Sequence, residues 1–172
     1  MTEDPKERAC SKFVCDAMLG KLARWLRVLG YSTHYFREIE DSELVAYARA
    51  RGLVLITRDT RLARRRNVQP CVLIEENDPW DQIRTVVRRL GLEVTRERSF
   101  TLCVECNESL YRMNKADVRG IVPPYVYRTQ QEFSRCPSCG RVYWPATHQQ
   151  HMLEKLEELF NGDVIDGTGS HD

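Results

Sequence analysis

The first half of the chain alternates between two patterns of apolar residues. Short runs rich in β-branched and aromatic side chains are typical of strands that are covered on both faces. Apolar residues that recur every three or four positions are typical of helices. Strands are predicted at residues 12–15, 31–36, 53–57 and 71–74, and helices at residues 18–29, 41–51, 60–66 and 79–90. Strands that alternate with helices predict an α/β fold with a parallel sheet.

Glycine, proline and aspartate mark the ends of these elements. Gly30, Gly52 and Gly91 follow three of the predicted helices, at the position where glycine commonly ends a helix. Asp78 and Pro79 begin the last of them, with Asp78 as the predicted N-cap and Pro79 at the first helical position. The helix boundaries are therefore indicated by two independent signals.

The alternation ends near Gly91, and a polar joint at residues 96–99 leads into a segment of different character. This segment contains four of the seven cysteines and a final predicted helix at residues 147–160. The chain divides into an α/β domain at residues 12–95, a cysteine-bearing ribbon with a C-terminal helix at 100–160, and a polar tail at 161–172 that is predicted to be disordered.

Composition narrows the location and the chemistry of the protein. No apolar run is long enough to cross a bilayer, and the polar N-terminus lacks the apolar region of a secretory signal, so we expect a cytoplasmic protein without a membrane partner. The odd number of cysteines, seven, argues against a framework of disulfides. Residues 21–66 contain eleven Lys or Arg and five Asp or Glu, which indicates either an anionic partner or an ordinary solvated surface.

Two Cys-x-x-Cys pairs predict a zinc site in the second half. Each pair forms a turn that directs two thiolates to one ion, and two such turns complete a tetrahedral shell. Gly140 follows the second pair and permits the tight backbone turn. Four cysteines leave no open position, so the predicted zinc is structural, and a redox pair or an iron–sulfur cluster is the alternative. The predicted ligands are Cys103, Cys106, Cys136 and Cys139.

Aspartates are predicted to lie at one edge of the parallel sheet. Asp16 ends the first strand, Asp59 follows the third, and Asp41 opens the helix after the second. If the strand order is 2-1-3-4, Asp16 and Asp59 are neighbours where the order reverses, and Asp41 faces them. Carboxylates brought together repel one another unless a cation neutralises them, and oxygen ligands suit Mg²⁺ or Mn²⁺. Asp81, after the fourth strand, is the candidate for a fourth acid.

The same aspartates also have a purely structural interpretation. Asp16 and Asp41 are suitable helix caps, and Asp59 is suitable for the turn after its strand. If the acids hold a metal, the basic side chains near them form a cationic rim around the site, which suits the binding of a nucleic-acid backbone. The candidate nucleic-acid contacts are Lys21, Arg24, Arg27, Arg58 and Arg61.

Several segments together carry a recognisable set of motifs. They are the stretch from Phe13 to Arg27, Asp41-Ser-Glu-Leu44, Ile56-Thr-Arg-Asp59, Val122-Pro-Pro-Tyr-Val-Tyr127 and Cys136-Pro-Ser-Cys-Gly-Arg-Val-Tyr-Trp144. With them, roughly residues 12–151 closely resemble the Mut-seven C-terminal family of PIN-like ribonuclease domains.

The resemblance implies a PIN-like three-layer α/β/α domain with a parallel sheet, followed by a small zinc ribbon. It implies that Asp16, Asp41 and Asp59 hold Mg²⁺ or Mn²⁺ for the cleavage of RNA. Many PIN domains carry a further acid on a helix between the first two of these positions. This chain is short there, with only Glu38 and Glu40 in a predicted loop, so the fourth ligand departs from the family pattern.

Three functions are compatible with these features. The leading hypothesis is a metal-dependent ribonuclease with RNA as its partner and zinc as a scaffold. A non-catalytic RNA-binding or adaptor module would keep the basic surface and the ribbon without turnover. A toxin-type PIN endoribonuclease would act beside an antitoxin. The ribbon also offers a surface for a homodimer or for a protein partner.

Overall fold

The computed structural model describes residues 12–161 and contains two sheets within them. The strands are β1 (Phe13–Cys15), β2 (Thr33–Tyr35), β3 (Val54–Thr57), β4 (Cys71–Leu73), β5 (Tyr111–Met113), β6 (Phe133–Arg135) and β7 (Val142–Tyr143). The helices are α1 (Gly20–Val28), α2 (Asp41–Arg51), α3 (Thr60–Ala63), α4 (Pro79–Leu90), α5 (Pro124–Thr129) and α6 (Thr147–Asn161), with short 3-10 helices at Ala17–Leu19 and Lys115–Val118. Apart from residue 161, the predicted disordered tail lies outside the described residues.

The first four strands form a parallel sheet in the order β2-β1-β3-β4. The order 2-1-3-4, which the sequence interpretation took as the condition for placing Asp16 beside Asp59, is therefore met. The chain makes β2 on one side of β1 and then crosses back to make β3 on the other side. The order thus reverses between β1 and β3, and the carboxyl ends of these two strands border the crevice where parallel sheets commonly bind ligands.

Successive residues of the central strands point to opposite faces of this sheet, and both faces are buried. Phe13 and Cys15 of β1 belong to a buried cluster that includes residues of α1, α4 and α6. Val14 belongs to a second cluster, which includes residues of α2 and α3. This two-sided burial explains why the strands are continuous apolar runs in the sequence, and the predicted α/β fold is confirmed.

The second sheet is antiparallel, in the order β5-β6-β7, and carries its own small core. Val118, Val122, Val126 and Phe133 are buried together there. The final helix α6 turns back to the α/β domain, because its Leu153 and Leu156 are buried in the first cluster. Arg96 reinforces this return through ion pairs with Glu154 and Glu157, at 3.3 and 3.6 Å. The helix that was grouped with the ribbon in sequence therefore contributes to the core of the α/β half.

The joint between the two halves crosses the end of α1 at very short range. The Phe100 amide donates to the Val28 carbonyl at 2.8 Å. Gly30 has a φ of +82°, and a Cβ there would lie 2.2 Å from the Arg98 carbonyl oxygen. Only glycine fits this position, since any side chain would meet the joint's backbone.

Some predicted elements differ from the observed ones. β2 begins at Thr33 instead of residue 31, because Tyr31 is buried in the first cluster and its hydroxyl donates to the Glu93 carbonyl at 2.8 Å. α3 ends at Ala63 instead of residue 66, and the chain then turns so that Val68 is buried in the second cluster. No helix in the described part of the chain has the length and apolar character needed to cross a bilayer.

Candidate metal centre and acidic sheet edge

The structure brings the four sulfurs of Cys103, Cys106, Cys136 and Cys139 together. They belong to two turns, the first knuckle (residues 103–108) and the second knuckle (residues 136–141). All four sulfurs lie within 4.8 Å of one another, and those of Cys103 and Cys139 are 3.8 Å apart. Tetrahedral Zn–S bonds of about 2.3 Å require sulfurs about 3.8 Å apart. The predicted convergence of the cysteines is confirmed, and the group fits a metal such as zinc.

The two knuckles repeat the same backbone turn. In the first, the Asn107 amide donates to the Cys103 carbonyl at 2.8 Å, and in the second the Gly140 amide donates to the Cys136 carbonyl at 3.0 Å. Asn107 and Gly140 have positive φ angles of 63° and 73°. The glycine was expected to permit this turn, and asparagine is among the few other residues that adopt it readily.

Hydrogen bonds to sulfur favour the ionised form of Cys103. Its sulfur accepts from the Cys106 amide at 3.4 Å and from the Tyr143 hydroxyl at 3.0 Å. Burial opposes ionisation, but these hydrogen bonds outweigh it and lower the pKa of Cys103 to about 7. A thiol that ionises near neutral pH is prepared to bind a metal as thiolate.

Arg27 connects the first knuckle to the parallel sheet. Its Nε donates to the Thr33 carbonyl at 2.8 Å, and its Nη1 donates to the Val104 and Glu105 carbonyls at 2.7 and 3.2 Å. Arg27 is buried, with 7% of its surface exposed. The structure thus directs this predicted RNA contact toward the protein's own backbone, and we assign it a structural role.

Asp16 lies directly after β1 and is buried, with 8% of its surface exposed. Its Oδ1 accepts from the Met18 amide at 2.9 Å. Its Oδ2 accepts from the Thr57 hydroxyl at 2.6 Å and from the Arg58 amide at 2.7 Å. Asp16 therefore caps the short helix after β1 and also connects β1 to the end of β3.

Asp59 follows β3 and is the N-cap of α3. Its Oδ1 accepts from the Leu62 amide at 3.1 Å and from the Arg61 amide at 2.7 Å, and these bonds lower the pKa of Asp59. Its own amide donates to the Thr57 hydroxyl oxygen at 3.0 Å. The Thr57 hydroxyl therefore connects the two aspartates, because it also donates to the Asp16 carboxylate.

Asp41 and Asp81 are exposed and lie on separate helices. Asp41 is the first residue of α2, and its Oδ2 is 3.8 Å from Nη2 of Arg65. Asp81 is in the first turn of α4, after the edge strand β4, and its Oδ1 is 3.4 Å from Nη1 of Arg84. Each carboxylate has a cationic partner, in an ion pair that the solvent weakens.

The four aspartates are not gathered around one point. Among residues 12–161, the ligand atoms of the four cysteines lie close enough to share an ion. The aspartates form no such group of three or more in that part of the chain. The acidic edge is instead a set of aspartates on neighbouring elements. The Thr57 hydroxyl donates to the carboxylate of Asp16 and accepts from the backbone amide of Asp59.

The remaining predicted RNA contacts divide into two sets. Arg24 forms an ion pair with Glu105 of the first knuckle and so faces the ribbon. Lys21 and Arg61 are exposed, at the starts of α1 and α3. Arg58 donates to Asn77 Oδ1 at 2.5 Å, which connects the loop after β3 to the loop after β4. Lys21, Arg58 and Arg61 therefore lie closest in the chain to Asp16 and Asp59.

A cavity of about 390 Å³ lies elsewhere, between the joint and the ribbon. Val28, Phe100, Tyr143 and Trp144 contribute to its lining, and none of the candidate aspartates borders it. The acidic edge is therefore separate from this cavity.

Three residues of these sites were not singled out as site residues in the sequence. Thr57 could have been identified from the sequence, because it precedes Asp59 in one of the segments that carry the family resemblance. Asn107 could also have been identified, because it occupies the position after Cys-x-x-Cys that glycine occupies in the second knuckle. The sequence did not indicate the contact of Tyr143 with a cysteine, since an aromatic residue in a ribbon strand is most simply explained by core packing.

The comparison with known proteins supports the family assignment. The profile of the Mut7-C RNAse domain matches residues 11–156. No curated protein and no solved structure matches the chain. The matched range includes the candidate aspartates and all four clustered cysteines. The chain therefore belongs to the Mut7-C RNAse domain family, as its motifs predicted.

Proposed function

We propose that this protein is a metal-dependent ribonuclease that hydrolyses RNA phosphodiester bonds at the carboxyl edge of its parallel sheet. Membership of an RNase domain family supports the reaction class. One observation supports the location: the Thr57 hydroxyl connects Asp16 to Asp59 where the strand order reverses. In this proposal residues 12–95 form a PIN-like three-layer α/β/α nuclease domain, which the helix α6 completes.

Asp16, Asp41 and Asp59 are the residues that would hold Mg²⁺ or Mn²⁺. All three offer carboxylate oxygens, the ligands that these cations prefer. Both amide bonds to Asp59 end on Oδ1, so its Oδ2 is the oxygen assigned to the cation. Asp41 would exchange its exposed contact with Arg65 for the cation, at small cost. The bound ion would activate water and neutralise charge on the phosphate.

The cations beside this edge are assigned to the RNA backbone. Lys21, Arg58 and Arg61 follow the same strand ends as the candidate acids. Phosphate contacts of this kind contribute most of the affinity and make it depend on salt. The zinc is assigned a structural role, because four thiolates close its shell and leave no position for a substrate.

A second function, RNA binding without cleavage, is favoured by one specific observation. The Asp16 carboxylate already accepts three hydrogen bonds from the protein, and the aspartates form no common ligand group among the described residues. Such a carboxylate would act as a structural cap and strand connector. The basic surface and the ribbon would then serve only to bind.

Cleavage of single-stranded RNA in Mg²⁺ and in Mn²⁺ by the full chain tests the first function. Asp59→Asn is the cleanest variant, because asparagine is also a preferred N-cap and keeps α3 in place. We expect its cleavage rate to fall more than about a hundredfold, the scale for losing a group that stabilises the transition state. Asp117→Asn, an exposed aspartate of the ribbon, is the matched control and should cleave as the wild type does.

RNA affinity measured in the same samples separates the two functions. Binding that persists in Asp59→Asn while cleavage is lost supports the nuclease. Unchanged cleavage by a pure Asp16→Asn, Asp59→Asn double variant would exclude the proposed mechanism. Binding by the wild type with no cleavage of any RNA in either cation would support the non-catalytic module instead.

A further inference from the structure

The outer edge of the parallel sheet is covered by the first zinc knuckle. Among residues 12–161, β1 is the one strand that pairs with β2, so β2 is an edge strand of the sheet β2-β1-β3-β4. An edge strand presents unpaired backbone groups that can pair with another chain, and proteins commonly cover such edges with a loop. Thr33, in β2, is nevertheless fully buried, at 0% exposure.

Both outward backbone groups of Thr33 are occupied by side chains. The Ser32 carbonyl accepts from the Phe13 amide of β1, so the next residue, Thr33, directs its own amide and carbonyl away from β1. The Thr33 amide donates to Oδ1 of Asn107 at 2.9 Å, and its carbonyl accepts from Nε of Arg27 at 2.8 Å.

These two side chains connect the edge to the first knuckle at several points. Asn107 belongs to the knuckle, and its Nδ2 also donates to the Ser32 hydroxyl at 3.0 Å. Arg27 belongs to α1, and its Nη1 donates to the carbonyls of Val104 and Glu105 inside the knuckle. The contacts use knuckle backbone and a residue at a φ of 63°, so they require the knuckle's turn.

We infer that the first zinc knuckle is the cover of the β2 edge, with Asn107 and Arg27 as its attachment, so that occupancy of the four-cysteine site controls exposure of that edge. Zinc holds the turn that presents Asn107 to Thr33. Without the ion the turn loses its constraint, and the Thr33 amide and carbonyl become available to water or to another strand. This role is independent of the proposed ribonuclease activity.

The two knuckles provide a matched variant within the chain. Asn107→Gly removes the contacts of Asn107 with Ser32 and Thr33 and leaves those of Arg27 in place. It keeps the positive φ and gives the first knuckle the residue that the second already has in Gly140. The variant should therefore retain its zinc. Asn107→Asp keeps the oxygen that accepts from the Thr33 amide and loses only the donor to Ser32, so it is the conservative partner.

Residue-resolved amide hydrogen exchange and zinc content of the full chain are the measurements. We expect the Thr33 amide to exchange about five- to tenfold faster in zinc-loaded Asn107→Gly, the factor for losing one ordinary hydrogen bond. The amide of Leu55, which donates to the Pro70 carbonyl between β3 and β4, is the internal reference and should be unchanged. Asn107→Asp should protect Thr33 as the wild type does. Removal of zinc from the wild type by a chelator should also accelerate Thr33 more than Leu55.

Three outcomes would overturn the inference. They are unchanged Thr33 exchange in Asn107→Gly or after chelation, equal acceleration of Thr33 and Leu55, and loss of zinc by Asn107→Gly. The second would indicate general destabilisation, and the third would place the function of Asn107 inside the knuckle.

Discussion

The four-cysteine site and the acidic edge use the same number of candidate ligands, but only the first is assembled in the protein by itself. Four sulfurs lie within 4.8 Å of one another, whereas the aspartates form no such group among residues 12–161. Each knuckle positions its own pair of cysteines through one local turn. Carboxylates repel one another and depend on separate strands and helices. A local motif therefore specifies one site, and tertiary packing plus a cation would have to specify the other.

Removal of one thiolate should have the largest effect of the changes considered. Cys136→Ser breaks the shell at a buried ligand, and structural zinc in small domains contributes about 10–16 kcal/mol of apparent binding free energy. We expect the zinc content to fall from about one ion per chain toward zero and the ribbon to unfold. Metal analysis and circular dichroism measure both. Cys71→Ser, a thiol outside the group, should keep its zinc, and equal zinc content in the two variants would disprove the assignment.

A substitution at the contact between the end of α1 and the joint should have the next largest effect. Gly30→Ala would combine a left-handed backbone with a Cβ 2.2 Å from the Arg98 carbonyl oxygen. We expect the free energy of unfolding to fall by about 2–5 kcal/mol, the sum of strain and overpacking. Gly52→Ala is the matched control, because its φ is +62° and no atom of the described residues lies within 4 Å of the added methyl group. Urea unfolding should show a clearly smaller loss of unfolding free energy for Gly52→Ala than for Gly30→Ala. Equal losses would mean that the backbone of the joint moves aside for the added methyl group without a measurable cost.

Substitutions of Asp41 and Asp81 provide a graded test of the acidic edge. Asp41 starts α2 and is assigned to the cation, so Asp41→Asn should slow cleavage about tenfold, less than Asp59→Asn. Asp81 lies beyond the edge strand β4 and pairs with Arg84, and losing an exposed ion pair changes little, so Asp81→Asn should stay within a factor of about three. Initial rates on one RNA at fixed Mn²⁺ measure the order. The reverse order would move the site toward α4.

The smallest predicted effect concerns the cap formed by Asp59. Amide bonds from Leu62 and Arg61 lower its pKa in the folded state. The charge of Asp59 therefore stabilises the protein above its unfolded pKa of about 3.9, and this stabilisation is lost as the pH falls through the lower folded value. The difference in denaturation midpoint between wild type and Asp59→Asn should shrink below about pH 4. A difference that stays constant through this range would contradict the charged cap.

Much of the α/β half follows from the sequence, because its signals are local and agree with one another. Asp78 caps α4 and Pro79 occupies its first turn, as predicted. The cysteine cluster followed from spacing alone. In each case a few neighbouring residues determine the geometry.

Positions set by tertiary contacts were not predictable in the same way. Lys21, Arg24 and Arg27 are spaced by three, and all three were candidate contacts to nucleic acid. In a helix of 3.6 residues per turn that spacing drifts by about 60° at each step, so Lys21 is exposed whereas Arg27 is turned into the interior. The docking of Asn107 on β2 depends on a contact between residues 74 apart in the chain. No local pattern encodes such a contact.

Because α6 returns to the first buried cluster, the ribbon is inserted between two segments of the chain that share one core. Leu153 and Leu156 fill a core whose other members all precede residue 95. The insertion is a loop of about fifty residues, and closing it costs about 3–4 kcal/mol, an amount that changes only slowly with length. Longer or shorter ribbons are therefore tolerable at this position. A chain that stopped before Thr147, in contrast, would retain every candidate acid and every clustered cysteine while lacking part of its core.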